Sequence, residues 1–234
     1  MDAIVMAAGE GRRLRPLTDT WPKPLLPIDG RPVIATLLHE LAAAGLTRVT
    51  VVTGHLAEQL EELVGDGSGF GLEARFARQQ RPDGSADAVE VAIEAGAAPP
   101  AIVVAADTVY QRGDVGRFAE AFAEAGPDGG VAVRRDPPPG PGRSAVGVED
   151  GRVTRIPDDD PAAELASAAL WGLGDAVARE LGSLAGPPFE LAEAYQRAID
   201  AGAHVIAVEI GATRDLTRPL DLVRENFFYL SKGP

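Results

Sequence analysis

The chain has 234 residues, of which 35 are acidic and 22 basic, for a formal charge of −13 and an apolar fraction of 45%. Those figures suit one α/β domain of ordinary composition, exclude a disordered or collagen-like chain, and argue against nucleic acid or an anionic membrane surface as partner. There is no cysteine, which excludes a disulfide scaffold, a thiolate zinc site and a cysteine nucleophile.

The apolar run Ala3-Ile4-Val5-Met6-Ala7 ends in glycine and predicts a buried parallel strand entering a loop. A Gly/Pro-rich loop extends from Gly9 to about Gly30. Residues 32–44 place Val33, Leu37, Leu38 and Leu41 at helical spacing and stop at Gly45. Strands follow at 49–53 and 73–77, with helices at 56–64 and 86–94, and residues 102–106 form a central strand that ends at Asp107. The second half predicts a helix at 115–125, a strand at 130–134, and a loop at 136–143. A hairpin at 145–148 and 152–156 turns through Asp150-Gly151, and a last strand at 204–210 precedes a helix at 219–230. This alternation predicts a three-layer α/β/α, Rossmann-like fold with a mixed, mostly parallel sheet. The longest apolar runs are strand-sized, short of the ~20 residues of a membrane span. Asp2 occupies the place of a signal peptide's basic region, so the expectation is a cytoplasmic protein.

A strand that runs into Gly9-Glu10-Gly11 invites a phosphate, because backbone N–H groups approach a ligand closely where no Cβ intervenes. A dinucleotide fingerprint is excluded by Leu14 in place of its third glycine, and a P-loop by Arg12-Arg13 where Gly-Lys belongs. Arginines at 12, 13 and 15 suit a polyphosphate, which guanidinium groups bind bidentately. The only two lysines are Lys23 and Lys232. Prolines on both sides of Lys23 hold its backbone extended and pre-place the ammonium group, whereas Lys232 reads as a solvated tail residue. Asp107 at a strand's carboxyl end faces the place where open α/β sheets bind ligands; its alternative is a helix cap. Gln79 carries both a donor and an acceptor, as reading the imide edge of uracil or thymine requires; its alternative is solvated surface.

Gly9, Gly11, Arg13, Leu14, Pro16, Leu17, Thr18 and Pro22-Lys23-Pro24 together resemble the signature of the nucleotidyltransferases that activate sugar 1-phosphates. The resemblance implies a GT-A-like fold in one domain, with residues 1–110 as the nucleotide half and 111–234 as the acceptor half. It implies transfer of NMP from UTP or dTTP to a sugar 1-phosphate with release of pyrophosphate and formation of an NDP-sugar. Arg13 and Lys23 take the catalytic roles, and Ala7, Ala8, Gly9, Gly11, Arg12, Gln79, Gly84 and Ser85 line the nucleotide. Mg²⁺ falls to Asp107 and Asp215, with Glu209 as the alternative second carboxylate; Pro219 and Asp221 are read as the start of the last helix. The family's acceptor lysine is missing, since no lysine lies between 23 and 232. At the corresponding place stand Asp158, Asp159 and Asp160, and the missing cation falls to Arg134, Arg135, Arg143 or Arg155. Trp171 either borders the acceptor pocket or belongs to the core. Cytidylyl or guanylyl transfer, a cyclitol or other non-sugar phosphate acceptor, and a non-catalytic nucleotide-sugar-binding protein are the rivals. The length implies a monomer or homodimer.

Overall fold

The computed structural model describes residues 1–140, 143–157, 160 and 162–227. Asp158, Asp159 and Lys232 lie outside the described residues. In the first half, strands β1 (Asp2–Met6), β2 (Arg48–Thr53), β3 (Glu73–Arg78) and β4 (Ala101–Ala105) are joined by helices α1 (Val33–Ala43), α2 (Ala57–Val64) and α3 (Ser85–Glu94). The second half adds α4 (Asp114–Ala125), β5 (Gly129–Arg134), β6 (Gly147–Glu149) and β7 (Arg152–Arg155). Then come β8 (Ala166–Leu173), α5 (Asp175–Leu181), α6 (Leu191–Asp200), β9 (Val205–Glu209) and α7 (Pro219–Asn226). These nine strands form one sheet in the order β3-β2-β1-β4-β8-β5-β9-β7-β6. β1, β2, β3 and β4 pair in parallel, β5 pairs in parallel with β9, and β8 lies antiparallel between β4 and β5. The sheet is therefore mixed but mostly parallel in direction.

The central strands are apolar throughout because both faces of the sheet are covered. Alternate residues go to opposite layers. Ala3, Val5, Ile102 and Val104 pack with Leu37, Leu38, Leu41, Leu60, Phe118 and Phe122 of α1, α2 and α4. Ile4 and Val103 pack with Val89, Val177, Leu181, Leu191 and Tyr195 of α3, α5 and α6. Asp150 and Gly151 both have positive φ, at 49° and 74°, the requirement of the two-residue turn that the Asp-Gly pair predicts between β6 and β7.

The sequence reading assigns no element to residues 166–200, and the structure places β8, α5 and α6 there. Ala-Ser-Ala-Ala-Leu-Trp-Gly-Leu has little of the β-branched character of a strand; its strand conformation comes from having a neighbour on each side. For α6 the signal is present, since Leu191, Ala194, Tyr195 and Ala198 are buried at helical spacing. Strand β8 also carries an irregularity: Ser167 pairs with Val133 and Trp171 with Val131, so extra residues bulge out between them. Ala169 sits there with φ 55°, and the buried Tyr110 hydroxyl donates toward the carbonyls of Ala168 and Ala169 at 3.0 and 3.1 Å. That bulge shapes one wall of the site described below.

The last segment folds back on the first loop. Residues 214–215 pair with 108–109 in a short antiparallel ladder, Asp215 opposite Thr108. Leu216 joins Leu14, Leu26, Ile28 and Val33 in a small separate core. Arg214 binds Asp29 and Glu225, and the Asn226 amide donates to the Pro27 carbonyl at 2.7 Å. Helix α7 starts at Pro219, with the Asp221 carboxylate accepting from the Thr217 and Arg218 amides. The described part of this helix ends at Asn226, and residues 228–230 lie outside the described residues.

Candidate active site

Strand order reverses at β1, with β2 on one side and β4 on the other. Such a switch point opens a crevice at the carboxyl ends of the strands. Two cavities of about 400 and 390 Å³ meet there. All eight residues expected to line a nucleotide, Ala7, Ala8, Gly9, Gly11, Arg12, Gln79, Gly84 and Ser85, line the first. Arg134, Arg143, Ser144, Ser167, Trp171, Glu190 and Asp215 line the second. Arg13, Lys23, Ser85 and Asp107 belong to both walls and mark the boundary.

The glycine loop leaves β1 through buried Ala7 and Ala8 and tightens at Gly11. There φ is 63°, and an added Cβ would meet Thr18 Cγ2 at 2.8 Å and Lys23 Cβ at 3.2 Å. Only glycine fits that position. At Gly9 an added Cβ meets no protein atom, so its hydrogen faces open cavity. The three arginines behave differently. Glu10, which sequence reasoning passed over, accepts from Arg12 at 2.8 Å and pairs with Arg15 at 3.4 Å. Arg13 makes no ion pair with the described residues and lines both cavities.

The backbone of Lys23 is not extended as its flanking prolines predict: Pro22 is extended, and Lys23 starts a single 3-10 turn closed by the Leu25 and Leu26 amides on the Pro22 and Lys23 carbonyls, while its ammonium binds the Asp107 carboxylate. Burial works to raise the Asp107 pKa; the charge and hydrogen bond of Lys23 outweigh it and hold the carboxyl below the usual range. Asp215 lies on the next rung of the short ladder, opposite Thr108, and accepts from the Thr217 hydroxyl at 2.9 Å. Two carboxylates beside cavities lined by the glycine loop, Arg13 and Lys23 suit Mg²⁺, which takes few protein carboxylates and completes its shell with substrate oxygens and water. Glu209, the alternative, ends β9 and pairs with Arg135 at 3.0 Å, away from both cavities. Among the described residues no cluster of three or more metal-binding side chains occurs.

Gln79 is buried, and its amide nitrogen donates to Gly84 O at 3.0 Å and to Asp87 Oδ2 at 2.6 Å. Two acceptors fix the orientation of the amide and leave Oε1 as its free polar atom, so the donor that sequence reasoning gave to base reading is already used. Gly84, with φ 124°, lies against the Phe189 backbone, where an added Cβ would come within 2.2 Å of the carbonyl oxygen. Ser85 donates to Glu190 Oε2 and accepts from the Leu191 amide, both at 2.7 Å, tying the start of α3 to the start of α6.

The second cavity was largely hidden in the sequence. Ser167 and Trp171 come from β8, and Glu190 and Leu191 from the start of α6; neither element was assigned. Trp171 stacks at a tilt on Tyr195 in the core, ring centroids 4.8 Å apart, and also lines this cavity. Of the four candidate cations, Arg134 and Arg143 line the cavity. Arg135 instead binds Glu164 and Glu209, and Arg155 is exposed on the outer hairpin.

An open α/β sheet with a glycine loop at its switch point, and two chambers that share a lysine, an arginine and a carboxylate, is the frame of a nucleotide-dependent transferase. The chain belongs to the nucleotidyl transferase family, whose sequence profile matches residues 2–230. It is 32% identical over 234 residues to a glucose-1-phosphate thymidylyltransferase of Streptomyces griseus, covering 97% of this chain and 65% of that protein. Identity to the low-salt glycan biosynthesis nucleotidyltransferase Agl11 of Haloferax volcanii is 28% over 236 residues, again 97% of this chain and 65% of the other. The chain thus spans about two thirds of the length of these relatives. A structure of a candidate glucose-1-phosphate thymidylyltransferase from Bacillus anthracis superposes with a TM-score of 0.84 over 100% of this chain and 97% of that one, at 19% identity. That likeness is one of fold. No helix among the described residues is long and apolar enough to cross a membrane.

Proposed function

We propose that the protein transfers NMP from UTP or dTTP to a sugar 1-phosphate, releasing pyrophosphate and forming an NDP-sugar. The observation that carries this reading is the shared wall: Arg13, Lys23 and Asp107 stand between a cavity built on the glycine loop and a second cavity of similar size. A phosphate oxygen of the acceptor attacks the α-phosphorus, a P–O bond forms, and the bond to the β-phosphate bridging oxygen breaks. The attacking phosphate is already an anion, so no general base is required. Catalysis is then positioning and charge neutralisation. Arg13, which pairs with no carboxylate among the described residues, binds the phosphates at the reacting centre, and Lys23 holds donor and acceptor phosphates together. Mg²⁺, held by Asp107 and Asp215, supplies further neutralisation of the triphosphate when bound. The free Oε1 of Gln79 accepts from the ring N–H of uracil or thymine. Cytosine presents a lone pair at that ring nitrogen and is disfavoured.

The test is pyrophosphate release with Mg²⁺, offering UTP, dTTP, CTP, GTP and ATP against a panel of sugar 1-phosphates. Turnover with UTP or dTTP and one sugar 1-phosphate is expected. Turnover confined to another base refutes the Gln79 reading, and nucleotide binding without turnover on any acceptor refutes the sugar acceptor.

A further inference from the structure

The second cavity holds two charges that the fold does not use. Arg134 ends β5 and is 3% exposed, yet it makes no ion pair with the described residues. One of its five N–H groups donates to the Ser167 carbonyl at 2.5 Å, and its Nε is buried without any hydrogen-bond partner. Arg143, in the loop after β5, likewise has a buried Nε with no partner and forms no ion pair with the described residues. Both side chains line the same cavity as Arg13 and Lys23.

A guanidinium stays charged when buried. Taken out of water without a counter-ion it destabilises the fold, unless a ligand supplies the missing partner. The carboxylates nearby do not fill that role. Asp107 is engaged by Lys23 and Glu190 by Ser85, and Asp215 accepts from Thr217 and makes no ion pair with either arginine. Burial depresses the Arg134 pKa; Asp215, Tyr110 and Asp136 work against this, Arg143 adds to it, and the net direction stays down. Bonding Ser167 explains one N–H of Arg134 and nothing of Arg143. A tetrahedral dianion satisfies both groups, because each planar fork binds two oxygens.

We infer that Arg134 and Arg143 seat the phosphate of the acceptor, a phosphate monoester, at the end of the second cavity nearest Lys23. This rests on the proposed two-substrate reading. Ser144, Ser167 and Glu190 then face the rest of the acceptor as hydrogen-bonding groups for hydroxyls.

The test is calorimetric titration of the whole chain with inorganic phosphate, glucose 1-phosphate and glucose, in saturating α,β-methylene-UTP so that the triphosphate seat is filled. The wild type is expected to bind phosphate and glucose 1-phosphate but not glucose. Arg143→Ala and Arg134→Met are each expected to weaken both anions about tenfold or more. Their affinity for α,β-methylene-UTP is expected to stay within about threefold, and Arg143→Lys to recover part of the loss. Arg143 is a loop residue, so Arg143→Ala decides the matter if Arg134→Met does not fold. Absence of phosphate binding in the wild type, or unchanged affinity in Arg143→Ala, overturns the inference. Nucleotide binding with no phosphate seat sinks this inference alone. An arginine-dependent phosphate seat in a chain that ignores α,β-methylene-UTP sinks the nucleotide reading and leaves the seat standing.

Discussion

Lys23→Met separates a catalytic lysine from a structural one. Among the described residues Lys23 lines both cavities and pairs with the carboxylate between them. At the reacting centre its charge acts on phosphates a few ångströms away, worth ~4 kcal/mol at 4 Å and an effective dielectric of 20. Removal of one preorganised donor costs ~10²–10³ in rate, about 2.7–4 kcal/mol, by a separate measure. The two agree, so kcat is expected to fall by ~10²–10³. The effect on stability is smaller. The Lys23 and Asp107 side chains are 15% and 33% exposed, and water reaching the freed carboxylate limits the loss to ~1 kcal/mol. At this chain length ~1 kcal/mol corresponds to a melting shift of about 2–4 °C. The assay is pyrophosphate release at saturating nucleotide and acceptor, alongside thermal melting followed by circular dichroism. A kcat within about threefold of wild type, with unchanged melting, refutes the assignment of Lys23 to the reacting centre.

Two glycines of the loop should respond oppositely to the same change. Gly11→Ala puts a Cβ on a left-handed residue and against Thr18 and Lys23, so urea unfolding is expected to show a loss of ~1–2 kcal/mol or more. Gly9→Ala meets no protein atom; stability is expected to hold within ~0.5 kcal/mol while UTP affinity falls, as read by calorimetry. Asp87→Ala releases the amide nitrogen of Gln79, and the kcat/KM preference for UTP over CTP is expected to narrow by about tenfold or more because the amide can turn; an unchanged ratio counts against Oε1 as the base reader. In the clasp, the hydrogen bond from Arg214 holds the Asp29 carboxyl below its usual range. Its contribution is present above the unfolded carboxylate value of ~3.9 and is lost as pH falls through the lower folded value. Asp29 is exposed, so the difference between wild type and Arg214→Ala is expected to shrink by less than ~1 kcal/mol between about pH 6 and about pH 3. Urea unfolding of both proteins at each pH measures it.

The first half of the fold was legible because its signals are local. Apolar runs of strand length, helical spacing in 32–44 and 86–94, and the Asp150-Gly151 turn each act over a few residues. The glycine loop and Pro22-Lys23-Pro24 were legible for the same reason. Their chemistry lies in backbone conformation and in residue types that are adjacent in the chain. Strand β8 was not legible, since small residues such as Ala168 and Ala169 are held in the sheet by β4 and β5 rather than by their own propensity.

By itself, then, the sequence determined the parallel β1–β4 frame and the loop at its switch point, and it singled out Lys23 and Asp107, which the structure joins in one ion pair. Only the tertiary structure decided which charges remain available. It spent Arg12 and Arg15 on Glu10, the Gln79 amide nitrogen on Asp87, and Arg135 on Glu209. It brought Asp215 beside Thr108 from 107 residues away in sequence, and among the described residues it left Arg134 and Arg143 without counter-ions in one cavity. The physical reason is that a side chain's type is written at its position, whereas its charge balance depends on which partners long-range packing sets within a few ångströms.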